Sequence, residues 1–196
     1  MPNTDNKIKY GISKCYMAVC TLDANNAPTY GVPFEVPGAR AISLAQQGEQ
    51  NIFYADDIAY YVSNGNSGYQ GDLTLARIPD EVRQKILGEY LDGKGVLIED
   101  MNAEPIHFAL MFQFKGDQRN TLHVLYNCTA SRSDIASATK EASVEPQEET
   151  LTITATSVHN NTLNKDIVKA STGKDVLDAA VTGWYTSVYQ PILATT

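Results

Sequence analysis

A strict two-residue alternation of apolar and other side chains constrains this chain more than any other feature. Successive residues of a β-strand point to opposite faces, so a period of two marks a strand with one face turned to a core. In "HFALMFQF", Phe108, Leu110, Phe112 and Phe114 fall on one face, with His107, Ala109, Met111 and Gln113 on the other. In "TLHVLYNC", Leu122, Val124, Tyr126 and Cys128 share a face. The polar "KGDQRN" between them carries Gly116, so the two read as an antiparallel hairpin. "ETLTITATS" turns Leu151, Ile153 and Ala155 inward and Thr150, Thr152, Thr154 and Thr156 outward. Further strands are expected at Lys14–Leu22, Ala39–Gln46, Ile52–Ala55, Ile58–Ser63 and Tyr69–Ile78.

One helix interrupts this pattern. Pro79 suits a first helical position, Asp80 and Glu81 complement the positive end of the helix dipole, and Gly88 offers a stop. Val82, Ile86 and Leu87 form its narrow apolar stripe, so the helix should lie against a sheet. The segment Val176–Tyr189 is either a second helix or extended, and Ser131 to Glu149 reads as a long exposed connection. Many strands with one helix imply a mainly β fold, two packed antiparallel sheets in a sandwich or flattened barrel. A chain of 196 residues forms one good core, so a single domain spanning 1–196 is expected.

Charge and chemistry narrow the function classes. A net charge of −8 with pI ≈ 4.8 argues against gripping nucleic acid through its phosphates and against docking on anionic membranes. An acidic wall instead repels phosphate and lets a strand slide past. No apolar stretch approaches the ~20 residues that span a bilayer, and "MPNTDNKIKYG" lacks a secretory h-region. Cys15, Cys20 and Cys128 have no paired spacing and are expected as buried free thiols in a reducing compartment. "STGKD" has Val168 where a phosphate loop needs glycine, and "NGNSGYQG" places Gly65, Gly68 and Gly71 in a polar turn without a dinucleotide-loop context. His107, His123 and His159 are scattered, the first two on the outer faces of their hairpin, where surface positions are expected. Asp56 and Asp57 point to opposite sides of a strand and mark a bend, not a catalytic dyad. No catalytic, metal or cofactor site is expected.

The fragments "NKIKYG", "FYADD", "GYQGDL", "IPDEVRQKILG", "HVLYNCTASR" and "ETLTITAT", in that order, resemble the major tail proteins of long-tailed bacteriophages, the phi13 family. The similarity spans most of the chain and is weakest after about Val158. It implies a non-enzymatic tail-tube subunit of the virion, assembled in the host cytoplasm. Such subunits form hexameric rings that stack into a tube, their inner sheets joining around a channel through which genomic DNA passes during ejection. Tape measure, terminator and distal tail proteins are the implied partners. An N-terminal arm (about 1–13), a ribbon (about 45–72) and a C-terminal segment (about 159–196) would reach neighbouring subunits. Tyr54, Tyr60, Tyr61 and Tyr69 would then be intersubunit anchors; the alternative is that they fill the subunit's own sandwich. Glu49, Asp56 and Asp57 would make polar contacts or face the channel. Arg40, Arg77 and Lys85 are ion-pair partners at ring contacts or plain surface charges. The rival readings are another virion ring protein, such as a terminator or baseplate component, and a non-viral β-sandwich that binds a ligand.

Overall fold

The alternating segments pair into one large antiparallel sheet. The computed structural model describes residues 10–48, 50–55, 57–117, 119–135 and 147–193. In chain order the elements are β1 (Tyr10–Leu22), β2 (Pro28–Tyr30), β3 (Phe34–Glu35), β4 (Ala39–Gln47), β5 (Gln50–Ala55), β6 (Ile58–Asn64), β7 (Gly68–Leu75) and α1 (Asp80–Lys85). They continue with β8 (Tyr90–Leu91), β9 (Leu97–Ile98), β10 (Phe108–Lys115), β11 (Leu122–Ala130), β12 (Glu149–Thr156), β13 (Val158–Asn160), β14 (Lys165–Ile167), β15 (Lys169–Ser171) and α2 (Asp178–Thr182). The large sheet runs β2-β1-β10-β11-β12-β7-β4, with β15 beside β11 and β3 beside β1. Hairpins β5–β6, β8–β9 and β13–β14 stand apart from it. β4, at the far end of that order, lies against β1, so the sheet curls into a flattened barrel whose two layers are halves of one sheet.

The barrel interior is apolar. Met17, Leu73, Leu75, Phe108, Leu110, Leu151 and Ile153 are fully buried there, and Val82 and Ile86 of the α1 region join the same cluster. Each fully buried side chain of this size contributes roughly 1.5–3 kcal/mol. α1 forms where the sequence places it, with one correction. Pro79 is the N-cap, in extended backbone at φ −62 and ψ 146, and the helix begins at Asp80. Gly88 takes φ 73, the left-handed conformation that ends the turn.

Two expectations change because a second layer covers the outer face of β1, β10 and β11. Ala109 and Met111, alternates of the β10 core face, are fully buried against Trp184 and Val188 of the C-terminal segment. His107 is therefore no surface residue: its Nδ1 lies 2.7 Å from Asn127 Oδ1, and buried Asn127 donates through Nδ2 to Thr156 Oγ1 at 2.9 Å. His123 is displaced from the surface for a different reason: it lies on the interior side of β11, opposite Leu122 and Val124, and stacks on Phe112 with ring centroids 5.2 Å apart.

Bulges produce the other departures. The β10–β11 register jumps from Leu110↔Leu125 to Phe108↔Cys128, which flips Cys128 into the barrel interior, while Leu122, Val124 and Tyr126 stay outside. β1 starts four residues before the expected Lys14, and its register shifts between Ser13 and Tyr16, with Lys14 at φ 49. Gly68 and Gly71 lie within β7, not in a turn. Gly68 has φ +110, and a Cβ there would collide with the Ala155 carbonyl. Of the two readings of Val176–Tyr189, the helical one holds only for the short α2.

Candidate assembly surface

The hairpin β5–β6 is the element least accounted for by its own subunit. Ala55 pairs with Ile58, and between them Asp57 takes φ 59, a conformation aspartate tolerates. Of the acidic pair where a bend was expected, Asp57 stands at this tip. Ile58 is 63%, Tyr60 73% and Tyr61 63% exposed. Tyr60 and Tyr61 are neighbours in one strand and point to opposite faces, so apolar side chains stand in water on both sides of the hairpin. Isolated two-stranded hairpins are marginal in water, and contiguous exposed apolar patches mark interaction sites.

The remaining named residues occupy other places. Tyr54 holds a position in β5 opposite Ala59, while Glu49 and Asp56 lie outside the described residues. Tyr69 sits at the hairpin root, where β7 pairs with the end of β4 through Gln46. It is half-buried, with the Lys169 ammonium 4.6 Å from its ring centroid. Arg40 and Arg77 flank the opposite end of the β4–β7 pair, where Ala39 meets Leu75. Arg40 forms an ion pair with Glu148, and Arg77 is exposed. Lys85 bonds Glu81 one turn away at 2.7 Å and lies 4.8 Å from the Phe34 ring.

Two features escape the periodicity. β8–β9 exposes Tyr90, Leu91, Val96 and Ile98 around the turn "DGKG", whose Asp-Gly pair is the sequence sign of a hairpin. Asp92 Oδ1 accepts from the Val96 and Lys94 amides at 2.8 Å, and those bonds hold its carboxyl below the usual range. The second is a cavity of about 310 Å³ at the hairpin end of the barrel, between β4, β7, β10, β11 and β15. Its lining comes from strands remote in sequence, so no local pattern announces it.

The titratable chemistry is structural. Burial pushes the Cys15 thiol up to about 12 and Cys20 to about 11, and lifts Cys128 as well, so all three stay neutral free thiols. Arg83 Nε donates to buried Glu89 Oε1 at 2.9 Å, and that bond raises the guanidinium pKa. Among the described residues, no three His, Cys, Asp or Glu side chains are grouped to hold a metal, and no helix is long and apolar enough to cross a membrane.

No curated protein matches the sequence. Among solved structures, a chain of the six-fold symmetrised cryo-EM structure of the anti-feeding prophage baseplate aligns with 84% of this chain and 96% of its own length. At 13% identity and a TM-score of 0.36, that likeness carries no argument. A family model described as "Phage tail tube protein" matches residues 3–185.

Proposed function

The chain belongs to the phage tail tube protein family, a structural component of the virion, and from that premise we propose that it is the repeating subunit of the tube itself. Subunits close into hexameric rings, and the rings stack around a channel through which the genome passes during ejection from a long-tailed phage. The observation that carries this reading is the β5–β6 hairpin, with Ile58, Tyr60 and Tyr61 exposed on its two faces. A projecting apolar ribbon is a hazard for a solitary protein and an asset for a closed assembly in which a neighbour covers it. Tyr60 and Tyr61 are the principal anchors, with Tyr54 on the same hairpin and Tyr69 at its root. Tyrosine fits this role because a large ring is buried while the hydroxyl keeps a hydrogen bond.

The C-terminal segment divides its work. Trp184 and Val188 hold it to its own sheet, while Ile192 and Leu193, 73% and 65% exposed, are available to a neighbour together with the N-terminal arm. Glu49 and Asp56 contribute to the net charge of −8 that keeps DNA from adhering to the channel, while exposed Asp57 makes a polar contact with a neighbour. The role needs no catalysis and no cofactor. Its other contacts are the tape measure, terminator and distal tail proteins, and assembly takes place in the host cytoplasm.

Negative-stain microscopy of concentrated purified protein tests the reading. Hollow filaments of uniform width are the expected result. Isolated rings would favour a terminator or baseplate role, and monomers at all concentrations would favour a ligand-binding sandwich.

A further inference from the structure

We propose that the cavity at the hairpin end of the barrel is the receiving site for the β5–β6 hairpin of a second copy. The proposal rests on the tube reading and names the surface on the partner that the anchors enter.

The cavity is an unfinished piece of core. Ile42 and Leu44 of β4, Tyr69 of β7 and Phe114 of β10 all pack against the interior cluster, yet each is only partly buried. His123 closes one wall, edge-on to Phe114 with ring centroids 5.3 Å apart. Lys169, exposed on β15, holds its ammonium 4.6 Å from the Tyr69 ring and puts a positive charge on the rim. At about 310 Å³ the space is at the small end of ligand pockets, which run roughly 300–1,000 Å³. That suits a side-chain pair from a hairpin better than a large ligand.

The hairpin has the complementary chemistry. Ile58 and Tyr60, two residues apart, share one face, and Asp57 stands beside them at the tip. An acid-tipped apolar ribbon therefore meets a lysine-rimmed apolar mouth, on a chain whose net charge is otherwise −8. The hairpin root, Gln47 opposite Gly68, lies at the same end of the barrel as its own cavity. With strands roughly 20 Å long, the hairpin of one copy reaches across to the mouth of the next when all copies face the same way. Such a contact is heterologous: each subunit offers one hairpin and one mouth, so the interface propagates until a ring closes.

Charge reversal and cross-linking on the full chain test this. Lys169→Glu and Asp57→Lys should each slow polymerisation at least ~tenfold by light scattering while lowering the melting temperature by no more than a few degrees, the small cost of a lysine at φ 59 and of the lost Lys169–Tyr69 contact. The double variant should recover most of the loss. Carbodiimide coupling of assembled wild-type protein should yield an isopeptide between Lys169 and the acidic tip of another chain, absent from unassembled subunits. Because coupling needs no substitution, it stands even where a variant misfolds. A double variant no faster than the slower single one, or coupling of Lys169 only to other segments, overturns the proposal. If Lys169→Glu polymerises normally while loss of Tyr60 and Tyr61 blocks assembly, the anchors stand and the mouth is not their site. If wild-type protein forms no filaments at all, the tube reading fails and this inference with it.

Discussion

Tyr60 and Tyr61 are adjacent, and adjacency in a strand means that no single face can bury both within a thin hairpin. Their exposure sets them apart from Tyr126, fully buried, and from Tyr16 and Tyr185, whose rings meet at 4.7 Å within the subunit. Tyr60→Ala with Tyr61→Ala should therefore change the unfolding free energy by no more than about 0.5 kcal/mol, yet reduce filament yield severalfold. Parallel thermal melts and sedimentation of filaments check this, and equal losses in both would remove the anchor role. The cysteines predict a pH effect. Cys15 and Cys20 are raised in the folded state from 9.0 to about 12 and about 11, so the unfolded chain ionises first. Their stabilising contribution is complete below pH 9 and is lost as pH climbs towards 11–12. Urea titrations across that range should show falling stability, and a thiol reagent at pH 8 should label them only after denaturation.

At the scale of elements, strand pairing turns on single residues that break regularity. β7 pairs with β12 on one side and β4 on the other, and its first residue is Gly68. Gly68→Ala adds a Cβ against the Ala155 carbonyl at a backbone angle that L residues avoid. It should cost about 1–3 kcal/mol, measured by urea denaturation, and because β7 carries the hairpin root it should impair assembly too. The bulge in β11 shows what local reading cannot see. "TLHVLYNC" alternates cleanly as text, but the jump between Leu125 and Cys128 sends Cys128 to the interior. The α1 stripe was legible because Val82, Ile86 and Leu87 are local, and local spacing suffices when one face meets a core.

At the scale of the whole molecule, the tube we propose would make acidity a property of its channel. In the proposed tube, replacing Glu49 and Asp56 with lysine should leave the melting temperature of the subunit within a few degrees of wild type while slowing genome release. A potassium-efflux or DNA-ejection assay on particles carrying the variant reads this directly, and normal ejection would move the residues off the channel wall. The hairpin's place in the assembly is decided at this scale as well, because its apolar faces find no cover among the described residues of one chain.

Side-chain alternation and the caps around α1 are written in the order of residues, so the sequence alone determined that the protein is mainly β, with strands close to where they lie and one flanking helix. The acid balance was equally open to reading. The tertiary structure alone decided that β10 is buried on both faces, that β4 curls round to β1, and that Ile42, Tyr69, Phe114 and Lys169 share one mouth. The reason is physical: periodicity specifies which side chains lie together on a strand, but not what covers the second face. That depends on contacts between residues as distant as Met111 and Val188, set by the packing of the whole chain.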